Sequence, residues 1–554
     1  MTWSQSYQPL GPWLSVLLAA APLVVLLGSI GLLRMRAHIA ALLALGAAGL
    51  IAVLGFGMPA SMATSAAGFG AAYGLLPIGW IVLNIIFLYQ LTEERGQFVI
   101  LRDSIAGITA DSRLQLLLIA FCLGAFFEGA AGFGAPVAVT GAMLIGLGFT
   151  RLQASGLSLI ANTAPVAFGA LGIQTVSLAG VTGLPVTDLA AMVGRIMTPF
   201  CLIVPFWLLI AYCGWRRTLQ VWPAALVVGG VYALSQLLIS NLHGPWLASI
   251  GPALIAIVAL IGFLRLWQPA QLMHVNEAKL AKGDERAPTA EAPPPSEPRD
   301  GAAMRKAWMP WLILTLLVFL WGIPSVKAAL DALFKRAIHF PGLDMLVLRV
   351  PPVVATPVAE PAIYTLNPLS ATGSAILLAA IIGGALLGAR PADLLRGYGK
   401  ALRTVWPSLL TIAAMLALGN LTRFSGLDAT MGLAFATTGA LYPYFGTMLG
   451  WLGVAVTGSD TASNVLFGGL QKITANQLHL SPILMASANS SGGVMGKMID
   501  AQSIVVASTA TQWFGQEGRI LRYVFVHSIV LGSLVGLCVL LLAYVPPFTL
   551  LVVR

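Results

Sequence analysis

Phe127-Glu128-Gly129-Ala130-Ala131-Gly132-Phe133-Gly134-Ala135-Pro136 places one carboxylate and three glycines inside a stretch that is otherwise largely apolar from Leu114 to Phe149. In a bilayer a charged side chain costs a few kcal/mol or more, and unpaired backbone polar groups are also expensive. The glycines and the proline predict an interrupted helix whose backbone N–H and C=O groups are free near Glu128. Such a break survives at membrane depth only where it is buried in protein or lines a cavity. The expected fold class is an all-α polytopic membrane protein, and Glu128 is expected to belong to a transport site.

The composition agrees. The 554-residue chain is 58% hydrophobic and only 9% charged, where a soluble domain carries about 25% charged residues. Cys122, Cys201, Cys213 and Cys538 all lie in apolar stretches, which speaks against disulfides and metal sites. The net charge of +10 does not imply nucleic acid, because the basic residues sit mainly in short loops, where the positive-inside rule accounts for them. No cleavable signal peptide is expected, since the first apolar stretch, Trp13 to Leu33, is long enough to span.

Apolar segments able to cross about 30 Å of hydrocarbon run at 13–33, 37–57, 75–91, 189–213, 221–240, 246–267, 307–323, 372–389, 404–421 and 522–546. Two further regions, 114–172 and 441–510, are broken by Gly, Pro, Asn, Ser and acids. They predict hairpins and discontinuous helices, for about 12 to 14 membrane segments in all. The polar interval 268–306, with Pro293-Pro294-Pro295, predicts a flexible cytoplasmic linker. The expected organisation is N-terminal helices (1–58), a first repeat with added scaffold helices (59–267), the linker (268–306), a scaffold helix with an interfacial segment (307–371) and a second repeat (372–554). Loop charges place the N-terminus outside. The interval 325–370 then lies outside with four basic residues, against the rule.

Ala161-Asn162-Thr163 with Gly169 matches Ala488-Asn489-Ser490 with Gly496 at a constant offset of 327 residues, and the surrounding spans pair near that offset. By loop charge the paired spans run in opposite directions. The halves therefore read as inverted repeats with re-entrant hairpins, which put a site at the repeat interface near midplane. Ala66-Ala67-Gly68-Phe69-Gly70-Ala71 echoes Ala130 to Ala135, although small-residue helix packing would produce the same pattern.

Four breaks are expected: Glu128 to Pro136, Asn162 to Pro165, Gly458 to Asn464, and Asn489 to Gly493. Each offers capping side chains beside small or helix-breaking residues. Half-helix N-termini present free N–H groups and partial positive charge to an anionic oxygen. Asn162, Thr163, Ser459, Thr461, Asn489, Ser490, Ser491 and Gly492 are the candidate ligand groups. Lys497 is a candidate counter-charge, or alternatively the ion-pair partner of Asp460, Asp500 or Glu128. Glu128 and Asp460 are the candidate proton carriers, and Gly129, Gly132, Gly134, Pro136, Pro165 and Gly458 the candidate hinges. Arg195 is expected to snorkel to the interface. The absence of nucleophile, metal-ligand, nucleotide and cofactor motifs argues against an enzyme, an ATP-driven pump and any cofactor.

At these residues the chain resembles the lactate permease family, bacterial symporters of L-lactate, D-lactate and glycolate with protons. The resemblance rests on Phe127 to Val137, Asn162 to Gly169, Gly450 to Val454 leading into Gly458 to Thr461, and Gly492 to Val494 with Gly496 to Ile499. It implies inverted repeats, an inner-membrane location and no metabolite chemistry. Related carboxylate transporters are often homodimers that move a mobile domain past a scaffold, so a homodimer is implied too. Arg423 and Asp500 depart from the family pattern, each adding a charge near the second half's breaks. The mechanism expected is symport of one proton with one short 2-hydroxymonocarboxylate, with Glu128 protonated from outside. The alternative is sodium coupling through Asp460, Asn464 and free carbonyls.

Overall fold

Apolar runs of about twenty residues can satisfy their backbone in hydrocarbon only by coiling into helices, and helices dominate this chain. The computed structural model describes residues 2–31, 33, 35–97, 100, 108–130, 135–275, 301–354, 356–513 and 516–553. The first half contains α1 (Pro12–Gly31), α2 (Ala37–Leu50), α3 (Ala60–Tyr73) and α4 (Trp80–Glu94), the last two joined through a kink at Leu76. There follow α5 (Ser112–Leu116), α6 (Gly124–Ala130), α7 (Ala135–Gly146), α8 (Arg151–Ala161), α9 (Thr163–Val166) and α10 (Ile173–Thr182). Further helices are α11 (Val186–Cys213), α12 (Trp215–Thr218), α13 (Trp222–Leu242), α14 (Ile250–Leu266), α15 (Gly301–Gly322) and α16 (Pro324–Leu333). The second half has α17 (Thr372–Leu386), α18 (Pro391–Ser425), α19 (Leu427–Phe435), α20 (Tyr442–Thr457), α21 (Asp460–Gln477), α22 (Pro482–Gly496), α23 (Ala501–Ala510) and α24 (Glu517–Tyr544).

Among the described residues, eight helices or joined helices are long and apolar enough to cross a membrane. A bent pair, Arg151–Val166 with Ala170–Thr182, makes a ninth. Four shorter apolar helices add to these. The strict count lies below 12 because several segments are short or broken. Most of the expected linker, residues 276–300, lies outside the described residues, and its last part, from Gly301, is already α15.

The 327-residue offset extends to whole helices. Adding it to the bounds of α3–α4, α5–α6, α7, α8–α9, α10 and α11 lands within four residues of the bounds of α18, α20, α21, α22, α23 and α24. The run Ser112–Ala130 is as apolar as a span, yet 94% of its apolar window is buried in protein. Outer helices instead expose apolar side chains such as Leu17, Val24, Leu54, Val258 and Leu316, as a lipid-facing surface does.

Small residues set the closest helix contacts, which in membranes depend on backbone approach. A Cβ on Gly70 would fall inside the Leu416 carbonyl, and Gly68 faces the edge of Phe340. The Ala66–Ala71 echo is therefore used in helix packing of α3 against α18. The start of α5 is held differently. Arg113 and Asp111 are completely buried and bonded at 2.6 and 3.0 Å. Arg113 also donates to the Gln220 side chain (2.7 Å) and the Gln271 carbonyl (2.8 Å), and Asp111 accepts from the Met273 N–H (3.0 Å). This clasp ties the apolar hairpin to the end of α12 and to the chain leaving α14. Removing one partner of a buried pair strands the other charge. Asp111→Ala should accordingly lower stability by about 3–5 kcal/mol, as measured by denaturant unfolding in detergent.

A polar cap covers one end of the helices. Strand β1 (Trp3–Ser4) lies parallel to β3 (Val347–Arg349), which pairs with β4 (Val358–Ala359), while β2 (Arg336–His339) pairs with β5 (Ile363–Leu366). Gln5 donates to the Arg423 and Phe424 carbonyls (3.0 and 2.9 Å), closing the C-terminal end of α18. Glu360 bridges Arg349 and Arg423, the latter at 3.1 Å. Burial pushes its carboxyl up, but Arg423 and Arg349 outweigh that and hold it below the usual carboxylate range. The four basic residues that broke the charge rule all have local partners. Lys335 pairs with Asp331 and Arg349 with Glu360, while Lys327 lies over the Trp246 ring and Arg336 over Phe334.

Candidate functional site

Three helix starts meet around one cavity of about 90 Å³, lined by Glu128, Val166, Ala170, Ile173, Gln174, Gly458, Ser459, Asp460, Thr461, Lys497 and Gln502. A single water needs roughly 10–15 Å³ of such space, so the cavity admits a ligand of a few heavy atoms. Its polar groups come from different elements. Glu128 stands near the end of α6, Gln174 in the first turn of α10, Asp460 and Thr461 in the first turn of α21, Lys497 just after α22, and Gln502 in the first turn of α23.

The local sequence explains each start. Gly458 ends α20 in the left-handed region (φ 72°), and Ser459 caps α21 by accepting from the Ala462 N–H at 3.2 Å. Asp500 caps α23 by accepting from the Ser503 N–H at 2.8 Å. In the first half the chain turns at Gly169 (φ 54°), Leu171 (φ 50°) and Gly172 (φ 78°), so α10 begins with no side-chain cap on its N–H groups. Gly169 must also lack a side chain, because the Gln174 amide occupies the space a Cβ would take. Unbonded N–H groups at these starts favour an anionic oxygen.

The charges are unequal. Lys497 donates to the Gly458 carbonyl at 2.6 Å and lies 3.4 Å from Asp500. Asp500 is thus the ion-pair partner among the three alternatives, and Lys497 itself lines the cavity. Glu128 is buried and accepts from Asn162 Nδ2 at 3.2 Å. Asp460 Oδ2 accepts from Ser490 Oγ at 2.7 Å and from Asn464 Nδ2 at 3.2 Å. Asp460 Oδ1 and Gln174 Oε1 have no partner among the described residues, as expected of acceptors that await a ligand.

Of the expected ligand groups, Ser459, Thr461 and Lys497 line the cavity, beside the expected proton carriers Glu128 and Asp460. Asn162 and Ser490 stand one bond behind, on the two acids. Thr163 bonds back to the Ile160 carbonyl at 2.8 Å, Asn489 bonds Asn464 at 3.0 Å, and Ser491 is buried among helices. Two expected breaks move. Residues 489–493 are continuous helix inside α22, and the interruption falls at Lys497 to Asp500. The small residues there serve contact with α20, since a Cβ on Gly492 would strike the Thr447 carbonyl. In the first half a helix boundary does fall at Asn162, between α8 and α9, but Thr163 to Pro165 are helical and the chain reverses handedness only at Gly169 to Gly172. Among the hinge candidates, Gly132 and Gly134 lie outside the described residues. Gly129 is inside α6, packed on Ile250, and Pro136 and Pro165 are inside α7 and α9. Gly458 is at a break. Arg195 donates to Asn241 Oδ1 (3.0 Å) and the Leu551 carbonyl (2.8 Å), away from the cavity residues.

No motif in the sequence alone marks Gln174 and Gln502 as site residues. Each is one amide following a turn, and the Gly169-to-Gly172 pair and the capping Asp500 were the available signals. Gly493 adds a close contact: a Cβ there would overlap Asp460 Oδ1. Gly493→Ala should therefore displace that carboxylate at a packing cost of about 1–3 kcal/mol, reducing uptake more than it reduces the amount of folded protein in the membrane.

The sequence profile of the L-lactate permease family matches residues 15–546. The glycolate permease GlcA of Escherichia coli strain K12 is 45% identical over 561 aligned residues, covering 98% of this chain and 99% of that protein. The L-lactate permease of Bacillus subtilis strain 168 is 42% identical, covering 97% of each chain, and that of Escherichia coli K12 is 41% identical, covering 98% of each.

Proposed function

Because this chain belongs to the L-lactate permease family, we propose that it takes up short 2-hydroxymonocarboxylates, L-lactate, D-lactate and glycolate, in symport with a proton. It is a multi-pass inner-membrane protein of the transporter kind, with bacterial permeases as its relatives. The observation that carries the proposal is the cavity at three helix starts with one ammonium and two carboxyl groups on its wall. The helix starts and Lys497 receive the substrate carboxylate. Ser459, Thr461 and Gln174 can bond its 2-hydroxyl, and Val166, Ala170 and Ile173 offer an apolar wall to a methyl group.

Charge accounts for the proton. Glu128, Asp460 and Asp500 surround one Lys497, so an added carboxylate enters a region already rich in negative charge. A buried anion needs a matching positive charge or a proton. Protonation of one cavity acid as the substrate enters supplies it, and release of both returns the empty site. The halves related by the 327-residue offset, inserted in opposite senses, would present this site to the two sides in turn. Counterflow in proteoliposomes tests the substrate range. Glycolate and both lactates should exchange, with acetate at least about tenfold weaker for want of the hydroxyl. Equal exchange of acetate would remove the hydroxyl contacts from the account.

A further inference from the structure

Behind Asp460 the buried polar side chains are bonded in one direction. Tyr442 OH donates to Gln471 Oε1 (2.8 Å), and Gln471 Nε2 donates to Asn489 Oδ1 (3.2 Å). Asn489 Nδ2 donates to Asn464 Oδ1 (3.0 Å), and Asn464 Nδ2 donates to Asp460 Oδ2 (3.2 Å). A side branch has the same sense: Asn464 Nδ2 donates to Ser490 Oγ (3.1 Å), which donates to the same Asp460 oxygen (2.7 Å). Tyr442, Gln471, Asn489, Asn464, Ser490 and Asp460 are all buried. Asp460, Asn464 and Gln471 occupy one face of α21, at spacings of four and seven.

An amide has a donor end and an acceptor end, so each bond fixes the orientation of the next. Gln471 sets the sense, because its Nε2 also donates to the Gly446 carbonyl at 2.7 Å, which no acceptor could replace. The ladder therefore delivers only N–H and O–H groups to Asp460. Among the described residues Glu128, by contrast, receives a single amide donor, from Asn162.

Resting on the proton-coupled reading above, we propose that this one-way ladder, set by Gln471 about 16 Å along α21 from the cavity, keeps Asp460 ionised as a fixed charge and leaves proton exchange to Glu128. Gln471 is thus a positioning residue, acting through Asn489 and Asn464. The charged groups that face Asp460 are Glu128 from α6 and Lys497, with its partner Asp500, from the turn after α22. Those are the groups whose charge a change at Asp460 would unbalance.

The test compares Gln471→Met with Tyr442→Phe in vesicles energised by a pH gradient. Gln471→Met takes the donor from Asn489. The holds on the two amides from outside the ladder, Asn489 Nδ2 to Ser463 Oγ and Asn464 Nδ2 to the Gln174 carbonyl, are both long at 3.5 Å, so Asn489 and then Asn464 can invert and turn a carbonyl oxygen toward Asp460. With donors lost, the protonated form of Asp460 is favoured, and its neutralisation removes a like charge facing Glu128, so the pH profile of uptake should move down by about one unit. Tyr442→Phe leaves Gln471 anchored on Gly446, and its profile should match the wild type. A role in packing alone would leave both profiles in place, and an unmoved Gln471→Met profile overturns the proposal. Should Gln471→Met not fold, infrared spectra decide on wild type, Glu128→Gln and Asp460→Asn. The protonated-carboxyl band that appears on acidification should vanish in Glu128→Gln and persist in Asp460→Asn. The reverse pattern overturns the proposal. Wild-type uptake indifferent to a protonophore would instead overturn the transport reading beneath it.

Discussion

Glu128→Gln should exchange lactate but fail to accumulate it. Glutamine has the shape of the protonated acid, and its carbonyl oxygen still accepts the bond from Asn162 Nδ2, 3.2 Å away in the wild type. The cavity wall is kept, and only the exchangeable proton is gone. Counterflow, which needs the site to bind and reorient with substrate, should stay within about threefold of wild type, since the lost difference is less than one net hydrogen bond. Uphill accumulation under a pH gradient needs the proton, and should drop by at least about tenfold, to equilibrium, as expected for an intramembrane acid with a transport role. If Glu128→Gln still accumulates lactate with unchanged pH dependence, Glu128 is not the carrier, and Asp460→Asn measured in parallel shows whether the role passes to that acid.

Lys497→Met should raise the KM for lactate by about 10–100-fold, the loss of one charge-assisted hydrogen bond of roughly 1.5–3 kcal/mol. Among the described residues, Lys497 is the only basic one on the cavity wall. Its loss leaves Glu128, Asp460 and Asp500 without their counter-charge and frees the Gly458 carbonyl, so the entering carboxylate meets repulsion as well. Lys497→Arg keeps the charge and should recover part of the affinity, though a guanidinium fills more of a 90 Å³ cavity. A Lys497→Met protein with wild-type KM would place the substrate carboxylate elsewhere.

The parts of this molecule that the sequence displayed are those where one residue type has one reading. Runs of apolar residues have no alternative to helix in hydrocarbon, and the helices appear where hydropathy puts them. Gly458-Ser459-Asp460 was legible as a break because a left-handed glycine followed by a serine cap leaves little else for the backbone to do. Ser490-Ser491-Gly492-Gly493 was misleading. Small residues also let two helices approach, and in this chain Gly492 and Gly493 make room for the Thr447 carbonyl and for Asp460. Which of the two uses applies depends on the neighbour, a contact distant in sequence. Asp500 was visible as an added charge, but its task as a cap and as the partner of Lys497 needed the fold. The Asp111–Arg113 clasp and the amide ladder from Tyr442 depend on partners up to 162 residues away, beyond any local pattern.

The most direct test of the whole account is proton movement by purified protein in proteoliposomes, followed with a pH indicator as lactate is added. The account predicts one proton entering with each lactate, unaffected when sodium is replaced by choline and lost in Glu128→Gln. Lactate accumulation without proton movement, or only with sodium present, would contradict it.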